Sequence, residues 1–262
     1  MKFFGMYTLY IGHLTALIIL VIFACSANAQ EIGIPHDDYL RAIGLEAEGE
    51  QIKQNLLGGL REEAPHLPGS YFENNAAFFS MVLTLSGITP EVYEQLEAEG
   101  IDIIHAITAG SRPFSEQSLL SDLVVIGTVS GVERDEDYND GFDTTVKVVA
   151  DEILKGSAPV DTLTIRQRAE QRNTDMTTRP DPDSSYLFLL SSGMYGYQVA
   201  NHQFREAGEA RVSAPKPGQE KEFVIYRMYP IIGGQLQNTM RDFTSVRKEI
   251  GDIHFLIHQS GR

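Results

Sequence analysis

The sequence predicts an α+β protein in which a helical N-terminal region is followed by an antiparallel β-sheet domain and a C-terminal helix. Three observations predict it. Helix-capping signals are concentrated before residue 114, short β-branched runs begin at residue 122, and an apolar stripe at helical spacing returns near the end of the chain. We therefore divide the chain into a leader over residues 1–29, a helical region over 30–114, and a sheet domain with its terminal helix over 115–262.

Several helices are indicated between residues 31 and 114. The apolar positions that recur at helical spacing in the first two segments are Leu40, Ile43 and Leu45, then Ile52, Leu56 and Leu60. Asp37 and Asp38 are suited to cap the first segment. Gly58-Gly59 and the proline-containing stretch 65–69 are expected to break the helical pattern. Asn75 to Leu85 is apolar on almost every side, which predicts a central buried helix, with a strand as the alternative for its second half.

The best-marked element is a helix over residues 90–99. Thr89 is a good N-cap, and Pro90 occupies the first helical position, where its missing N–H removes no helical hydrogen bond. Gly100 is placed at the C′ position, which favours a left-handed conformation. The flanking apolar pairs, which suit a hydrophobic staple and a Schellman motif, are Ile88 with Tyr93 and Leu96 with Ile101.

From residue 122 the helical period is lost and strand-like runs replace it. The strands that these runs predict cover residues 123–132, 144–150, 162–166, 186–190, 194–199 and 223–228. Asn139-Asp140-Gly141 predicts a hairpin that joins the first two. The fourth strand, YLFLL, is apolar at every position and should be buried on both faces.

A terminal helix is predicted from about Thr244. Its apolar residues lie on one stripe at helical spacing, formed by Val246, Ile250, Ile253 and Ile257. The stripe indicates that one side of this helix packs on the rest of the fold.

Charge excludes one class of partner. Lys and Arg total 21 against 36 Asp and Glu, and the formal net charge is −15. Binding to nucleic acid through phosphate neutralisation needs the opposite sign, and an anionic lipid surface is disfavoured for the same reason. We therefore expect no nucleic-acid partner.

The first 29 residues have the features of an export signal. Lys2 precedes the apolar run Thr15 to Ala24, and Ala27-Asn28-Ala29 fits the small-x-small cleavage rule, so the mature chain would begin at Gln30. One alternative is an uncleaved membrane anchor over residues 7–24. Another is lipidation of Cys25, because residues 22–25 resemble a bacterial lipobox apart from the bulky Phe23. The expected location is therefore periplasmic or extracellular, with or without a membrane tether.

Cys25 is the only cysteine. A mature chain that starts beyond it contains no disulfide, no catalytic thiolate and no cysteine metal ligand. The stability of such a chain must come from its own core.

The sheet region resembles a group of secreted bacterial domains that are similar to the netrin-like module of tissue metalloprotease inhibitors. The residues that carry the resemblance are Asp122 to Thr128, Val146 to Val149, Glu152 to Gly156, Leu163 to Arg166 and Tyr186 to Leu190. The resemblance covers about residues 115–200 and implies an OB-like barrel of five strands with flanking helices. Those inhibitors chelate the zinc of a protease through an N-terminal cysteine, which this domain lacks, so inhibition is not expected to carry over.

A histidine pair and an acidic loop are the best candidates for metal chemistry, and both depart from known motifs. His254 and His258 lie four residues apart on the predicted terminal helix, but Phe255 stands where a zinc hydrolase needs its glutamate. Asp135, Asp137 and Asn139 resemble the start of a calcium loop, but their glycine falls one place late and Val146 occupies the position of the bidentate glutamate. A solvated helix end and a solvated hairpin tip explain both patterns.

The remaining candidates are weaker still. Ser191, Ser192 and His202 lie outside any nucleophile-elbow motif, and Gly233-Gly234 is too short for a phosphate loop. Aromatic residues that would suit a binding surface, but that are more typical of a core, are Tyr71, Phe72, Tyr195 and Tyr197. We assign no catalytic, cofactor-binding or metal-ligating residue, and name His36, His66, His105 and His202 as the residues that would complete a metal site if the fold brought them to the histidine pair.

The sequence favours a non-enzymatic, exported binding module of the cell envelope, whose partner is a protein or a small molecule. The alternative is an exported hydrolase or metal-dependent enzyme, with a site between the helical region and the barrel. An enzyme would need a deep pocket that gathers titratable side chains from distant parts of the chain. A binding module would present a shallow surface or a strand edge.

Overall fold

A computed structural model describes most of the chain beyond residue 39. The residues described are 40–41, 43–63, 65–108, 113–137, 141–158, 161–168, 179–193, 222–237, 239 and 241–259. The helices are α1 (Glu46–Glu63), α2 (Gly69–Leu85), α3 (Pro90–Ala98), α4 (Ile103–Thr108), α5 (Phe114–Leu119) and α6 (Phe243–Gln259). The strands are β1 (Leu123–Arg134), β2 (Phe142–Lys155), β3 (Thr162–Arg168), β4 (Ser185–Ser191), β5 (Phe223–Ile232) and β6 (Gln235–Leu236).

Five of the strands form a closed barrel. The sheet order is β3-β2-β1-β4-β5-β6, and the pairs β1–β2, β1–β4, β2–β3 and β4–β5 are antiparallel. A short parallel contact between β3 and β5, with Ile165 opposite Phe223 and Arg166 opposite Val224, closes the ring. β6 adds a small hairpin to β5. The fold is thus α+β as predicted, and its closed barrel is compatible with an OB-like barrel.

Side chains of the barrel strands pack into two separate cores. Val125 on β1 and its cross-strand partner Phe188 on β4 point into the barrel, where they belong to one buried cluster. The adjacent pair Val124 and Leu189 points outward and packs in a second cluster with the helices. The helical layer therefore lies on the outer side of β1, β4 and β5. This double burial explains why β4 is apolar throughout, because both of its faces are covered.

The outer side of β2 and β3 is open to solvent instead. Lys147, Val149 and Asp151 of β2 are exposed, and so are Thr162 and Thr164 of β3. The register places these residues side by side, with Lys147 opposite Thr164 and Val149 opposite Thr162. Val149 is 40% exposed, which is high for an aliphatic residue in the middle of a strand. We call this surface, formed by these five residues, the open face.

The capping signals of α3 are confirmed in detail. The Thr89 hydroxyl accepts a hydrogen bond from the backbone N–H of Val92, and Pro90 is the first helical residue. At the other end Gly100 has φ +81°, and the hydrogen bonds Ile101 N–H to Leu96 C=O and Gly100 N–H to Glu97 C=O form the predicted Schellman motif. The terminal helix is also confirmed, since Val246, Ile250, Ile253 and Ile257 of α6 are all buried.

The expected helix break at Gly58-Gly59 is wrong. α1 runs through both glycines and ends only at Glu63. A Cβ added to Gly59 would lie 2.5 Å from a side-chain carbon of Ile104, so this glycine permits close packing of α4 on α1 rather than a turn. The break over residues 65–69 is confirmed as the connection to α2, and residues 75–85 are helical throughout.

The remaining differences concern short elements. α4 and α5, of six residues each, were not resolved as separate helices by the sequence pattern. The first predicted segment is described only at its end, where Leu40 is buried and helical and residues 43–44 form a turn. The predicted strand over 194–199 lies outside the described residues.

None of the described helices is by itself both long enough and apolar enough to cross a bilayer. α2 and α3 meet these two conditions only as a pair, across a 94° bend.

Candidate functional site

A buried polar cluster lies where the helical layer meets one end of the barrel. We call this place the junction, and the residues Asp122, Ser86, Ser192 and Lys155 the junction cluster. Its acidic member is Asp122, directly before β1. One carboxylate oxygen accepts a hydrogen bond of 3.1 Å from the hydroxyl of Ser86, which lies at the end of α2. The other accepts from both the backbone N–H and the hydroxyl of Ser192, directly after β4, with the N–H at 2.8 Å. Asp122 thus ties the helical region to two strands of the barrel.

The basic member of the cluster is Lys155, the last residue of β2. Its side chain is buried, with the residue only 2% exposed. The ammonium donates hydrogen bonds to the carbonyl oxygens of Ser118 and Ser121, at 2.6 and 2.7 Å, where α5 ends and the chain turns into β1. A cation at this position interacts favourably with the free carbonyls of a helix end.

Burial shifts the proton affinity of both charged groups. Loss of solvent raises the pKa of the Asp122 carboxyl, while the Ser192 hydrogen bonds, the charge of Lys155 and the Ser86 hydroxyl act in the opposite direction. Burial lowers the pKa of Lys155 to about 7, and the negative charge of Asp122 opposes this change. The lysine therefore changes its charge near neutral pH, which an exposed lysine does not do.

The turn after β2, at Gly156, keeps Lys155 close to Asp122. Gly156 has φ +80°, and a Cβ at this position would overlap the backbone oxygen of Asp122. Only glycine satisfies both requirements. The turn therefore holds the Lys155 end of β2 against the Asp122 end of β1.

The two histidines of α6 lie at the same junction. The His254 and His258 rings are T-shaped with centroids 4.1 Å apart. The Nδ1 atom of His254 is buried, with no hydrogen-bond partner in the described part of the chain. Burial first, then the charges of His258 and Lys155, lower the pKa of His254. Among the described residues no group of three or more His, Cys, Asp or Glu side chains is arranged to hold a metal ion.

A second polar network supports the junction from α5. Glu116 is buried, and its Oε2 atom lies 2.5 Å from Nδ1 of the His105 ring. The side-chain oxygen of Gln117 accepts a hydrogen bond from the Tyr229 hydroxyl of β5. Glu249 of α6 accepts from the backbone N–H of Ser115, over 2.7 Å, and so caps the start of α5. His105 is one of the histidines that would complete a metal site beside His254 and His258. Its ring contacts the Glu116 carboxylate instead.

The other sequence candidates are dispersed. At the β1–β2 hairpin the Asp135 carboxylate accepts from the backbone N–H of Asp137, a local turn contact, and Asn139 lies outside the described residues. Phe72 is buried whereas Tyr71 is 41% exposed. Both glycines of Gly233-Gly234 have positive φ in the β5–β6 turn. His66 is exposed in the α1–α2 connection. The candidates outside the described residues are His36, Tyr195, Tyr197 and His202.

From the sequence, Ser192 was weighed only as a possible triad nucleophile, and Asp122 and Lys155 were not recognised as a pair. The available signal was positional, because Asp122 directly precedes the apolar run LVVIG and Lys155 directly follows Ile153-Leu154. Charged residues at such positions are buried only when they are paired or hydrogen-bonded. The sequence could not show that these two strand ends meet.

The cluster joins the helical region to the barrel. Ser86, Ser192 and Lys155 are each at most 6% exposed, and their hydrogen bonds connect the ends of α2 and α5 with the ends of β1, β2 and β4. A pocket of about 440 Å³ lies elsewhere, at the start of α1, and the described residues that line it belong to the segment 40–50.

Comparison of the chain with protein-family models, with curated proteins and with solved structures gives no match. The class of the protein is therefore defined by its own architecture, a closed five-stranded barrel with a helical layer on one side and an open strand face on the other.

Proposed function

We propose that the protein is an exported, non-enzymatic interaction module of the cell envelope, which binds a protein partner through the open face of β2 and β3. The observation that carries the proposal is the distribution of the two cores. The helices cover the outer side of β1, β4 and β5, whereas the open face keeps Val149 exposed. The proposal assigns the barrel to the netrin-like type of OB barrel that the sequence resembles.

The chemistry of the open face suits a protein partner. Val149 supplies apolar area, and Thr162, Thr164 and Lys147 around it supply hydrogen-bond donors. Lys147 forms an ion pair with Glu133 at 2.5 Å, and Asp151 accepts a hydrogen bond from the Thr128 hydroxyl at 3.0 Å, so both charged side chains of the face already have partners. A flat surface of this composition resembles the mixed apolar and polar surface of a non-obligate protein interface. The barrel interior behind it is filled by side chains such as Val146 and Val148, which leaves a small molecule little concave space there.

Burial of the junction cluster supports a non-enzymatic role. A hydrolase or metal-dependent enzyme with its site between the helices and the barrel would use Lys155, Asp122 and Ser192. A substrate would have to reach Lys155, which is 2% exposed.

Site-specific photo-crosslinking in the source cells tests the binding role. A photoreactive amino acid replaces Val149 in the full chain, and a matched probe replaces Glu63, an exposed residue on α1. We expect one protein adduct from position 149 that disappears when Thr164→Arg is added on the same face. The proposal fails if position 149 gives no adduct, if position 63 gives the same adduct, or if Thr164→Arg leaves the adduct unchanged.

Export is tested separately by intact-mass measurement of the envelope fraction. A chain that begins at Gln30 supports cleavage of the leader, and a lipidated Cys25 supports a tethered module. Retention of Met1 in the membrane overturns both.

A further inference from the structure

We propose that the C-terminal half of α6 is a pH-responsive element, which loosens from the barrel junction when His254 becomes protonated in mildly acidic solution. The inference is independent of the proposed partner. It rests on the position of α6, on the surroundings of the two imidazole rings and on the charges that face them.

The helix runs beside the end of β2. Arg247 forms an ion pair with Glu152 near the start of α6. Seven residues of helix and three residues of strand each span about 10 Å. Arg247 and His254 are thus about as far apart along the helix as Glu152 and Lys155 are along the strand, and the charge of Lys155 acts on His254.

The two rings are confined in different ways. His254 is partly buried and its Nδ1 atom has no hydrogen-bond partner in the described residues, so a proton added there would gain no acceptor. His258 is exposed, and its ring touches that of His254. Protonation of His254 would place a positive charge against the His258 ring and near the buried ammonium of Lys155.

The carboxylates around the junction are already engaged. On β2, Glu152 is bound by Arg247, and before β1 Asp122 is bound by Ser86 and Ser192. The carboxylates that α5 and α6 contribute have partners of their own, in the pairs Glu116 with the His105 ring, Glu249 with Arg241, and Asp252 with Lys248. The buried side of α3 contributes one titratable residue, Tyr93, whose pKa burial raises. The groups whose charges act on His254 are positive, since Lys155 and His258 both lower its pKa after burial has done so.

The sign of the effect follows from linkage. The pKa of His254 is lower in the docked helix than the ordinary value of 6.5, so the undocked helix binds a proton more readily. Docking is then weakened as the pH falls below about 6.5 and is unaffected well above it. Acid thus favours the undocked form.

The release is expected to stop halfway along the helix. The first half is held by the Arg247–Glu152 pair and by the cap that Glu249 provides to Ser115. The second half is held by Ile253 and Ile257, and Ile257 packs against the turn at Gly87. Undocking would expose these two isoleucines and uncover the helix-facing side of the junction.

Hydrogen exchange read by mass spectrometry on the full chain tests the proposal, with rates corrected for the intrinsic effect of pH. We expect the peptide over residues 251–259 to lose protection between about pH 8 and about pH 5.5, while the peptide over 243–250 keeps it. The double variant His254→Gln, His258→Gln should keep its protection at both pH values. His66→Gln, which changes an exposed histidine far from α6 in sequence, is the matched control and should behave as the wild type.

Two results would overturn the proposal. One is an equal change of protection in both halves of α6, and the other is a loss of protection that persists in the double variant. The single variant His258→Gln serves if the double variant does not fold, because His258 is exposed. It should reduce the acid-induced loss, and an unchanged loss would also refute the proposal.

Discussion

Asp122 and Ser192 are joined by two hydrogen bonds to one carboxylate oxygen, although 70 residues separate them in the chain. Both are the first residue beyond the end of a strand, Asp122 before β1 and Ser192 after β4. The carboxylate therefore fixes the register of two neighbouring strands at the edge where the helices dock. It also compensates the positive charge of the buried Lys155.

Replacement of Asp122 is expected to be strongly destabilising. Asp122→Ala leaves the Ser192 N–H, two hydroxyls and the Lys155 charge without their partner, and should lower the free energy of unfolding by roughly 3–5 kcal/mol. Ser86→Ala removes one hydroxyl hydrogen bond to the same carboxylate and should cost about 1.5 kcal/mol, the lower end of the range for a hydrogen bond to a charged group. Urea unfolding of the two variants measures the difference. Equal losses in the two variants would show that the Asp122 carboxylate contributes no more than its hydrogen bond to Ser86.

Lys155 should make stability depend on pH above neutrality. Its pKa of about 7 in the folded protein lies below that of an unfolded lysine, so the unfolded chain binds more protons at higher pH. Stability should therefore rise with pH from about 7 to about 9.5, by at most about 1.4 kcal/mol per pH unit. Above that range the raised pKa values of Tyr93, Tyr186 and Tyr229 act in the opposite direction, because the folded protein then keeps protons that the unfolded chain releases.

Two lysine variants isolate this effect in urea unfolding at a series of pH values. Lys155→Met keeps the length of the side chain but does not titrate, and its stability should change little over the window. Lys147→Met alters an exposed lysine of the same strand and should keep the wild-type slope. A slope that survives in Lys155→Met would assign the titration to another group.

The two adjacent glycines of α1 should respond oppositely to alanine. A Cβ at Gly58 meets no atom within 4 Å, so Gly58→Ala should stabilise the helix by about 0.5–1 kcal/mol. A Cβ at Gly59 would press on Ile104, so Gly59→Ala should destabilise by about 1–3 kcal/mol. Thermal unfolding of both variants checks the signs. Ile104→Ala in the Gly59→Ala background should recover part of the loss, and no recovery would mean that the contact is not the cause.

The α3 cap offers a prediction about a single side chain. Thr89→Ala removes the acceptor for the Val92 N–H and should cost about 1 kcal/mol, whereas Thr89→Ser keeps the hydroxyl and should cost less. Urea unfolding distinguishes the two. Equal losses would indicate that the threonine methyl group, not the cap, stabilises this end of the helix.

The success of sequence reasoning followed the range of the interactions. The caps of α3 depend on residues within a few positions of each other, so Thr89, Pro90 and Gly100 could be interpreted directly. The strands of the barrel could be predicted because their β-branched runs reflect local burial. Gly59 was misjudged because its role depends on Ile104, which belongs to another helix.

The junction cluster could not be predicted from the sequence, for a related reason. Asp122, Lys155 and Ser192 are each ordinary at the end of a strand, and only barrel closure brings those ends together. The open face was equally hidden, because Val149 belongs to an alternating strand whose outer side could have faced either helices or solvent. Which strands receive the helical layer is a property of the tertiary arrangement.

The parallel contact between β3 and β5 also constrains how the protein can fold. It joins residues 165–166 to residues 223–224, whereas α1 with α2 and β1 with β2 are consecutive in the chain. Long-range pairing carries the larger loop-closure entropy, so ring closure is expected to follow the formation of the local pairs. During synthesis β5 emerges after the other four barrel strands, and until it arrives the β3 and β4 edges lack the strand that pairs with them. The nascent chain therefore passes through an aggregation-prone stage that ends when β5 pairs with both edges.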